Sequence, residues 1–217
     1  GQYSVHTNYA KAWNLIGFDG QSLVDYQNNN NNIAPEFKDS GDMDFATILF
    51  KTEGIGNGIS DYLDNTIAFA SFAASRTNPN ANGNPMTSGM LGSQDSETGT
   101  SVWLGVNAPC PLTPDDAKIG FEWNKGSKYW RSMTYAEDTY AGSKIATRGQ
   151  AWEVYRTQKL TEALSFGVSY VLMQYDYTGS NSFFGADGTP YKIGSAEAGN
   201  KAVKEAQDVR AYMRYKF

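Results

Sequence analysis

Three aspartates in one short segment are the residues that most resemble a metal site. Asp39, Asp42 and Asp44 occur within KDSGDMD, and carboxylate oxygens are ligands that Ca²⁺ prefers in proteins. The segment lacks the twelve-residue order of ligands in an EF-hand loop. The spacing therefore predicts either a calcium ion held by these carboxylates or, more simply, an acidic loop exposed to solvent.

No other segment predicts an enzyme or a cofactor site. The carboxylate pairs Asp115–Asp116 and Glu137–Asp138 lie in predicted connections, and neighbours on a strand would point to opposite faces. His6 is the only histidine, and the sequence identifies no serine or cysteine partner for it. The glycine-rich segment Gly54–Gly58 lacks the spacing of a dinucleotide motif, and no Lys-Ser/Thr pair follows it. We predict a turn there, no enzyme and no cofactor.

Charged residues within the alternating segments are candidates for the lining of a water-filled interior. If these segments cross a membrane, a charge that faces lipid costs roughly 2–4 kcal/mol at mid-depth, so it should face a water-filled interior. The candidates for this lining are Glu122, Glu153, Arg210, Arg214 and Lys216. Two interpretations stay open: a charged pore lining that favours some solutes, or ordinary salt bridges inside a filled barrel.

The chain ends on an alternating segment, DVRAYMRYKF. In steps of two, its apolar face carries Val209, Met213, Tyr215 and Phe217, and charged residues occupy most of the positions between them. Every backbone group must be paired in lipid, so a strand that crosses a membrane needs neighbours that complete a closed barrel. We therefore predict that these four residues face the membrane, with the aromatic end in its interfacial region.

Seven further segments of alternating or strand-forming residues precede this one, which predicts about eight strands. The predicted strands are Gln2–Trp13, Asp44–Thr52, Asn65–Arg76, Ser101–Val106, Lys118–Asn124, Gln150–Leu160, Ser165–Tyr177 and Ala206–Phe217. A helix that begins near Asp61 competes with the third strand. Arg156 and Gln158 share the parity of Trp152 and Val154, which predicts either a bulge or a position near the rim.

The connections between these strands alternate in length. Short turns such as TEAL, at residues 161–164, fall on the same side as the chain end, and the long loops rich in Asn, Ser and Gly fall on the other. Short turns on one rim and long loops on the other are typical of an outer-membrane barrel. A soluble sandwich does not need this segregation.

Composition excludes two classes of protein. A net charge of −5 and a pI near 4.9 give no basic surface for phosphate, so we predict no nucleic-acid partner. No apolar run of about 18 residues is present, which excludes a transmembrane helix. The mean hydropathy of −0.52 does not exclude a membrane barrel, whose strands place only alternate residues in lipid.

The second half of the chain, about Ala117 to Phe217, resembles a known family. KIGFEWNKGSKYW, SKIATRGQAWEVYRTQKL and QYDYTGSNSFFGA are similar to segments of functionally uncharacterised, porin-like outer-membrane proteins of Gram-negative bacteria. The resemblance is most specific at Gly120, Gly126–Trp130, Thr147–Gly149 and Tyr177–Asn181. The closing strand also resembles the assembly signal of outer-membrane proteins. Members of this family are longer and have no established activity, so the resemblance implies the carboxy-terminal portion of a larger barrel and no catalytic residues.

These observations together predict an all-β fold, an antiparallel transmembrane β-barrel with short periplasmic turns and long extracellular loops. Residues 1–217 would form one barrel domain or the carboxy-terminal part of one. The expected function is passive diffusion of small hydrophilic solutes across the bacterial outer membrane. The expected partners are outer-membrane lipid and the barrel assembly machinery, and a homo-oligomer is left open.

Two other functions remain as alternatives. The first is a non-conducting outer-membrane barrel that acts as a scaffold for adhesion or assembly. The second is a soluble, secreted β-sandwich that acts as a binding module.

Overall fold

A computed structural model describes residues 1–28, 34–56, 58–80, 89–113, 116–134, 142–181 and 188–217. Eight antiparallel strands form one sheet in chain order. The strands are β1 (Gln2–Phe18), β2 (Phe37–Glu53), β3 (Ile67–Pro79), β4 (Thr98–Pro109), β5 (Ala117–Gly126), β6 (Gly149–Lys159), β7 (Leu164–Tyr175) and β8 (Glu205–Tyr215). The helices are α1 (Gly20–Asn28), α2 (Asp61–Asp64) and a 3-10 turn, Lys144–Ala146. The all-β class and the presence of all eight strands are confirmed, whereas some bounds differ: β2 begins seven residues before the predicted Asp44, and Phe217 lies outside β8.

After Asp61 the sequence allows either a helix or a strand, and the structure contains both, one after the other. Helix α2 is a single turn, and β3 follows it. Ser60 caps the start of α2, because its hydroxyl accepts a hydrogen bond from the Leu63 amide at 3.2 Å. The side chains of Asn65 and Thr66 then donate to the carbonyls of α2, which ends the helix before the alternating residues begin.

Strand β1 runs further than the sequence predicts because a bulge lets it continue past Trp13. The register with β2 shifts between Ala12 and Leu15, and Asn14 has a positive φ of 53°. The carboxylate of Asp42 accepts a hydrogen bond from the Asn14 amide at 3.1 Å, which holds the bulge in place. Pairing then continues to Phe18 and Phe37, whose rings stack 4.4 Å apart.

The sheet is open. Among the described residues, β1 pairs only with β2, and β8 pairs only with β7. These eight strands therefore do not close into a barrel by themselves. In the part of the chain that the structure describes, no helix is both long and apolar enough to span a membrane.

Successive side chains along each strand point to opposite sides of the sheet, and the two faces differ in composition. Directly paired residues point to the same side, so one row runs across seven strands through Val5, Phe50, Ala70, Leu104, Trp123, Trp152 and Leu172. The rows beside it add further large side chains, among them Phe72, Phe121, Val154, Tyr170 and Val209. Phe50, Phe72 and Val154 are 53%, 48% and 45% exposed. We call this side the apolar face and the other the polar face.

Arg156 and Gln158 belong to the apolar face but lie at its rim. The register of β6 with both neighbours is unbroken, so no bulge is present there. The Arg156 guanidinium donates to the side chains of Gln158 and Thr113 at 2.6 and 3.1 Å. Of the two sequence explanations, the position near the rim is therefore the correct one.

The lengths of the connections segregate as predicted. The short connections, β2–β3, β4–β5 and β6–β7, leave and rejoin the sheet at one edge, where β8 also ends. The long connections, β1–β2, β3–β4, β5–β6 and β7–β8, leave and rejoin the sheet at the opposite edge. We call these the short-turn edge and the long-loop edge.

Candidate functional site

The described parts of the β5–β6 loop, residues 127–134 and 142–148, fold over the polar face. Trp130, Arg131, Thr147 and Arg148 in this loop are buried. The Arg131 amide donates a hydrogen bond to the hydroxyl of Ser75, a polar-face residue of β3, at 3.2 Å. The polar face is therefore covered by the chain itself across its middle strands, whereas the apolar face is not.

Lys144 lies between two glutamates of the sheet. Glu122 on β5 and Glu153 on β6 are direct neighbours in the register, so both carboxylates point to the polar face at the same height. The Lys144 ammonium lies 2.6 Å from the Glu122 carboxylate and also forms an ion pair with Glu153. The three side chains are only 13–15% exposed. This lysine anchors the loop to the sheet.

Trp103 completes this cluster. Its indole N–H donates to the Glu122 carboxylate at 2.9 Å, and the Lys144 ammonium lies 5.4 Å from the centre of its ring. Like charges directly opposite each other on a sheet are destabilising, and one ammonium offsets one of the two negative charges. Burial by itself would lower the pKa of Lys144, but the two carboxylates outweigh it and raise the pKa.

Two fully buried arginines connect the β5–β6 loop to the β7–β8 loop. Arg148 donates to the carbonyls of Trp130, Thr178 and Gly188 at 2.8–3.0 Å. Arg131 donates to the carbonyl of Ser180 at 2.6 Å. Burial lowers the pKa of Arg148 to about 10, and the positive charge of Arg131 acts in the same direction. Arg148 therefore stays charged at neutral pH and ties this loop to the β7–β8 loop.

The segments that carry the sequence resemblance meet in this network. Arg148 lies within Thr147–Gly149, and it contacts Trp130 of Gly126–Trp130 and Ser180 of Tyr177–Asn181. Gly126 is required there, because an added Cβ would lie 2.2 Å from the Thr147 carbonyl oxygen. Sequence periodicity did not identify Arg131, Lys144 or Arg148, since residues in a loop follow no period. The resemblance did include Arg148, without assigning it a role.

The predicted interior residues share a face but form no single cluster. Glu122, Glu153, Arg210 and Arg214 all lie on the polar face. The two glutamates meet at Lys144, and Arg214 and Lys216 lie apart from them, together at the short-turn edge. Arg210 forms an ion pair with Asp208 at 2.7 Å, and Lys216 follows the end of β8, where its amide donates to the Ala163 carbonyl.

The predicted membrane-facing residues lie on the apolar side of the closing strand. Val209, Met213 and Tyr215 in β8 are exposed and share the apolar face. Phe217 follows the strand, and its ring packs edge-on against Tyr215 at 5.6 Å. The terminal aromatic pair therefore lies at the short-turn edge.

The three aspartates point to different partners. Asp39 accepts from the Gly41 amide, Asp42 lies 3.6 Å from Lys11, and Asp44 accepts from Tyr9 and Asn78. Among the described residues, no three Asp, Glu, His or Cys side chains come close enough to hold a metal ion. The structure therefore gives the predicted calcium site no support, and it places these residues in β2 rather than in a loop.

The other residues that the sequence analysis considered for chemistry have ordinary structural roles wherever the structure describes them. His6 bonds to Ser4 at 3.0 Å on the polar face. Gly54, Gly56 and Gly58 have positive φ angles, as expected for a turn. The pair Glu137–Asp138 and residue Asp115 lie outside the described residues.

Comparison with known proteins gives a family and no activity. A family model described as a protein of unknown function, DUF3373, matches residues 1–217, including the first half that the sequence resemblance did not cover. No curated protein and no solved structure matches the chain. The expectation of an uncharacterised family is confirmed, and the chain belongs to the DUF3373 family of proteins of unknown function.

Proposed function

We propose that this chain forms part of an outer-membrane β-barrel through which small hydrophilic solutes diffuse passively. The observation that carries the proposal is the difference between the two faces of one sheet. Large apolar side chains cover one face and are exposed, whereas charged side chains and a folded loop occupy the other. A barrel with lipid around its outer surface and water in its lumen requires this arrangement.

The exposed apolar face favours lipid over water as its surroundings. Soluble monomers rarely expose continuous apolar patches of this kind, and this one extends across all eight strands. A β-sandwich would bury such a face against a second sheet. All the described strands belong to a single sheet, which speaks against the soluble binding module.

Closure would come from further strands at the two open edges. In lipid an unpaired strand edge costs several kcal/mol for each unsatisfied backbone group. Strand β1 begins and β8 ends at the short-turn edge, at Gln2 and Tyr215, so an even number of added antiparallel strands would complete the ring. Insertion of such a barrel requires the assembly machinery of the bacterial outer membrane, with short turns in the periplasm and long loops outside.

The β5–β6 loop would narrow the lumen at the height of Glu122 and Glu153. Lys144 holds it there, and the arginines fix its ends. Solutes would pass between this loop and the uncovered part of the polar face on β1, where Ser4, His6 and Asn8 are exposed.

A second candidate is a filled barrel that acts as a scaffold for adhesion or assembly and does not conduct. The burial of Trp130, Arg131 and Arg148 against the sheet favours it. In this case the loops at the long-loop edge would bind the partner. The two candidates share the fold and differ only in whether water passes the β5–β6 loop.

Planar-bilayer recording separates them. Folded protein in detergent is added to the bilayer, and discrete conductance steps are expected. Lys144→Met should raise the single-channel conductance because it frees the loop, whereas Lys128→Met in the same loop should not. A protein that migrates as a folded, heat-modifiable band and gives no conductance steps would contradict the pore and support the scaffold.

A further inference from the structure

A cavity of about 520 Å³ opens at the short-turn edge, beside the ends of β5 to β8. Four cationic side chains line it: Lys118, Lys159, Arg214 and Lys216. Two carboxylates, Asp116 and Glu162, line it as well. The lining therefore carries a net charge of +2, whereas the whole chain carries −5.

In the described part of the chain, the cations of this cavity outnumber its two carboxylates and form no ion pair with them. Among the described residues, neither Lys159, Arg214 nor Lys216 forms an ion pair, and the Lys118 ammonium lies only near the Asn65 carbonyl, at 3.5 Å. Lys11 and Lys38, by contrast, are paired with aspartates. Cations that outnumber the carboxylates around them create a positive potential that attracts anions.

The cavity also offers neutral hydrogen-bond donors. The hydroxyls of Thr157, Ser165 and Tyr212 belong to its lining. Thr157 pairs with Gly167, and Gly167 pairs with Tyr212, so Thr157 and Tyr212 lie in one row of the polar face. Ser165 lies in the next row, paired with Lys159 and Arg214. A guanidinium, ammonium groups and hydroxyls are together the donor set that suits the several oxygens of a phosphate or a carboxylate.

We propose that this cavity binds a small oxyanion, a phosphate or carboxylate group of a free solute, at the short-turn mouth of the molecule. The lining residues Lys118, Thr157, Tyr212 and Arg214 lie on the polar face, opposite the apolar face. That position favours a solute over the headgroup of a lipid. The binding itself stands apart from transport; its role as a capture site for anionic solutes rests on the proposed function.

The test titrates inorganic phosphate into the folded protein in a non-ionic detergent, followed by ³¹P NMR or calorimetry. Wild-type protein should show saturable binding. The double variant Lys159→Gln with Arg214→Gln should bind about tenfold more weakly or not at all, because it loses charge-assisted hydrogen bonds. A control with the same charge change, Lys125→Gln with Lys201→Gln, should bind as wild type does.

Three results would overturn the inference: no saturable binding by a folded wild-type protein, equal loss in both double variants, or tighter binding of a short-chain phosphatidylglycerol than of phosphate. The last result would identify a lipid headgroup as the ligand. Planar-bilayer recording of the same protein distinguishes failure of the anion site from failure of the proposed pore. Binding without channels contradicts only the pore, and channels without binding contradict only the anion site.

Discussion

At the scale of single residues, the contacts of Lys144 carry the sharpest predictions. It reaches from the β5–β6 loop to two carboxylates that the register places side by side. Without it, Glu122 and Glu153 would face each other with two negative charges and little water. The energetic role of Lys144 is thus to permit a pair of acids on the polar face as well as to hold the loop.

Replacing Lys144 by Met should therefore destabilise the protein. Removing one partner of a largely buried ion pair costs about 3–5 kcal/mol, since the other charge is left uncompensated. Lys128→Met is the matched control, because Lys128 is in the same loop and contacts only the Tyr129 ring among the described residues. Urea unfolding in detergent measures both variants. Equal loss of stability would show that Lys144 carries no special role.

The contribution of Lys144 should also depend on pH in one direction. Its pKa in the folded protein lies above the ordinary value of 10.5, so its stabilisation is fully present below pH 10.5 and is lost as the pH rises through the folded value. The difference in unfolding free energy between wild type and Lys144→Met should stay constant from about pH 7 to about pH 9 and shrink above pH 10.5. A difference that already shrinks near neutral pH would argue against the ion pair.

At the scale of the strands, three glycines of the polar face are covered by aromatic rings. Phe69 lies over Gly105, Tyr155 over Gly120, and Tyr212 over Gly167, and in each case the two residues are direct partners in the register. A ring that covers a glycine shields its backbone and pins the register. The alternation of small and large residues on this face is therefore a packing device.

Gly120→Ala should disturb this packing. Its Cβ would lie 2.0 Å from the Tyr155 ring, whose hydroxyl is held by Asn107 at 3.3 Å, and such overpacking costs about 1–3 kcal/mol. The same substitution in a Tyr155→Ala background should cost nothing further, since the ring is absent. A double-mutant cycle by urea unfolding measures the difference. Additive effects would mean that the ring and the glycine do not interact.

The strands themselves were predictable because alternation is a local property. All eight were identified, although the sequence left a helix after Asp61 as an alternative to the third strand, and only the structure limits that helix to Asp61–Asp64. The extension of β1 past Trp13 was not predicted, since it depends on a bulge held by Asp42 of the neighbouring strand. The rim position of Arg156 likewise needed the contact with Thr113, from a different turn.

For the whole molecule, the decisive property is the asymmetry between the two faces. Neighbouring residues on β3 provide a direct test. Phe72 lies on the apolar face and Ser71 on the polar face, at the same height. Phe72→Arg should lower the stability in a bilayer by roughly 2–4 kcal/mol, as expected for arginine in lipid, and Ser71→Arg should cost much less.

Folding into lipid vesicles, followed by unfolding in urea, measures both variants. Equal effects would contradict a lipid-facing apolar side. A large effect of Ser71→Arg alone would mean that the polar face is packed more tightly than its exposed residues indicate.

The sequence alone determined the strand number, the alternation of faces, and the separation of short turns from long loops. Each of these follows from local periodicity and from the distance along the chain between strands. Only the tertiary structure decided that Lys144 meets Glu122 and Glu153, that Arg148 joins three distant segments, and that the cations at the short-turn edge share one cavity. These contacts join residues from loops and separate strands. No periodic pattern relates such residues, so folding alone brings them together.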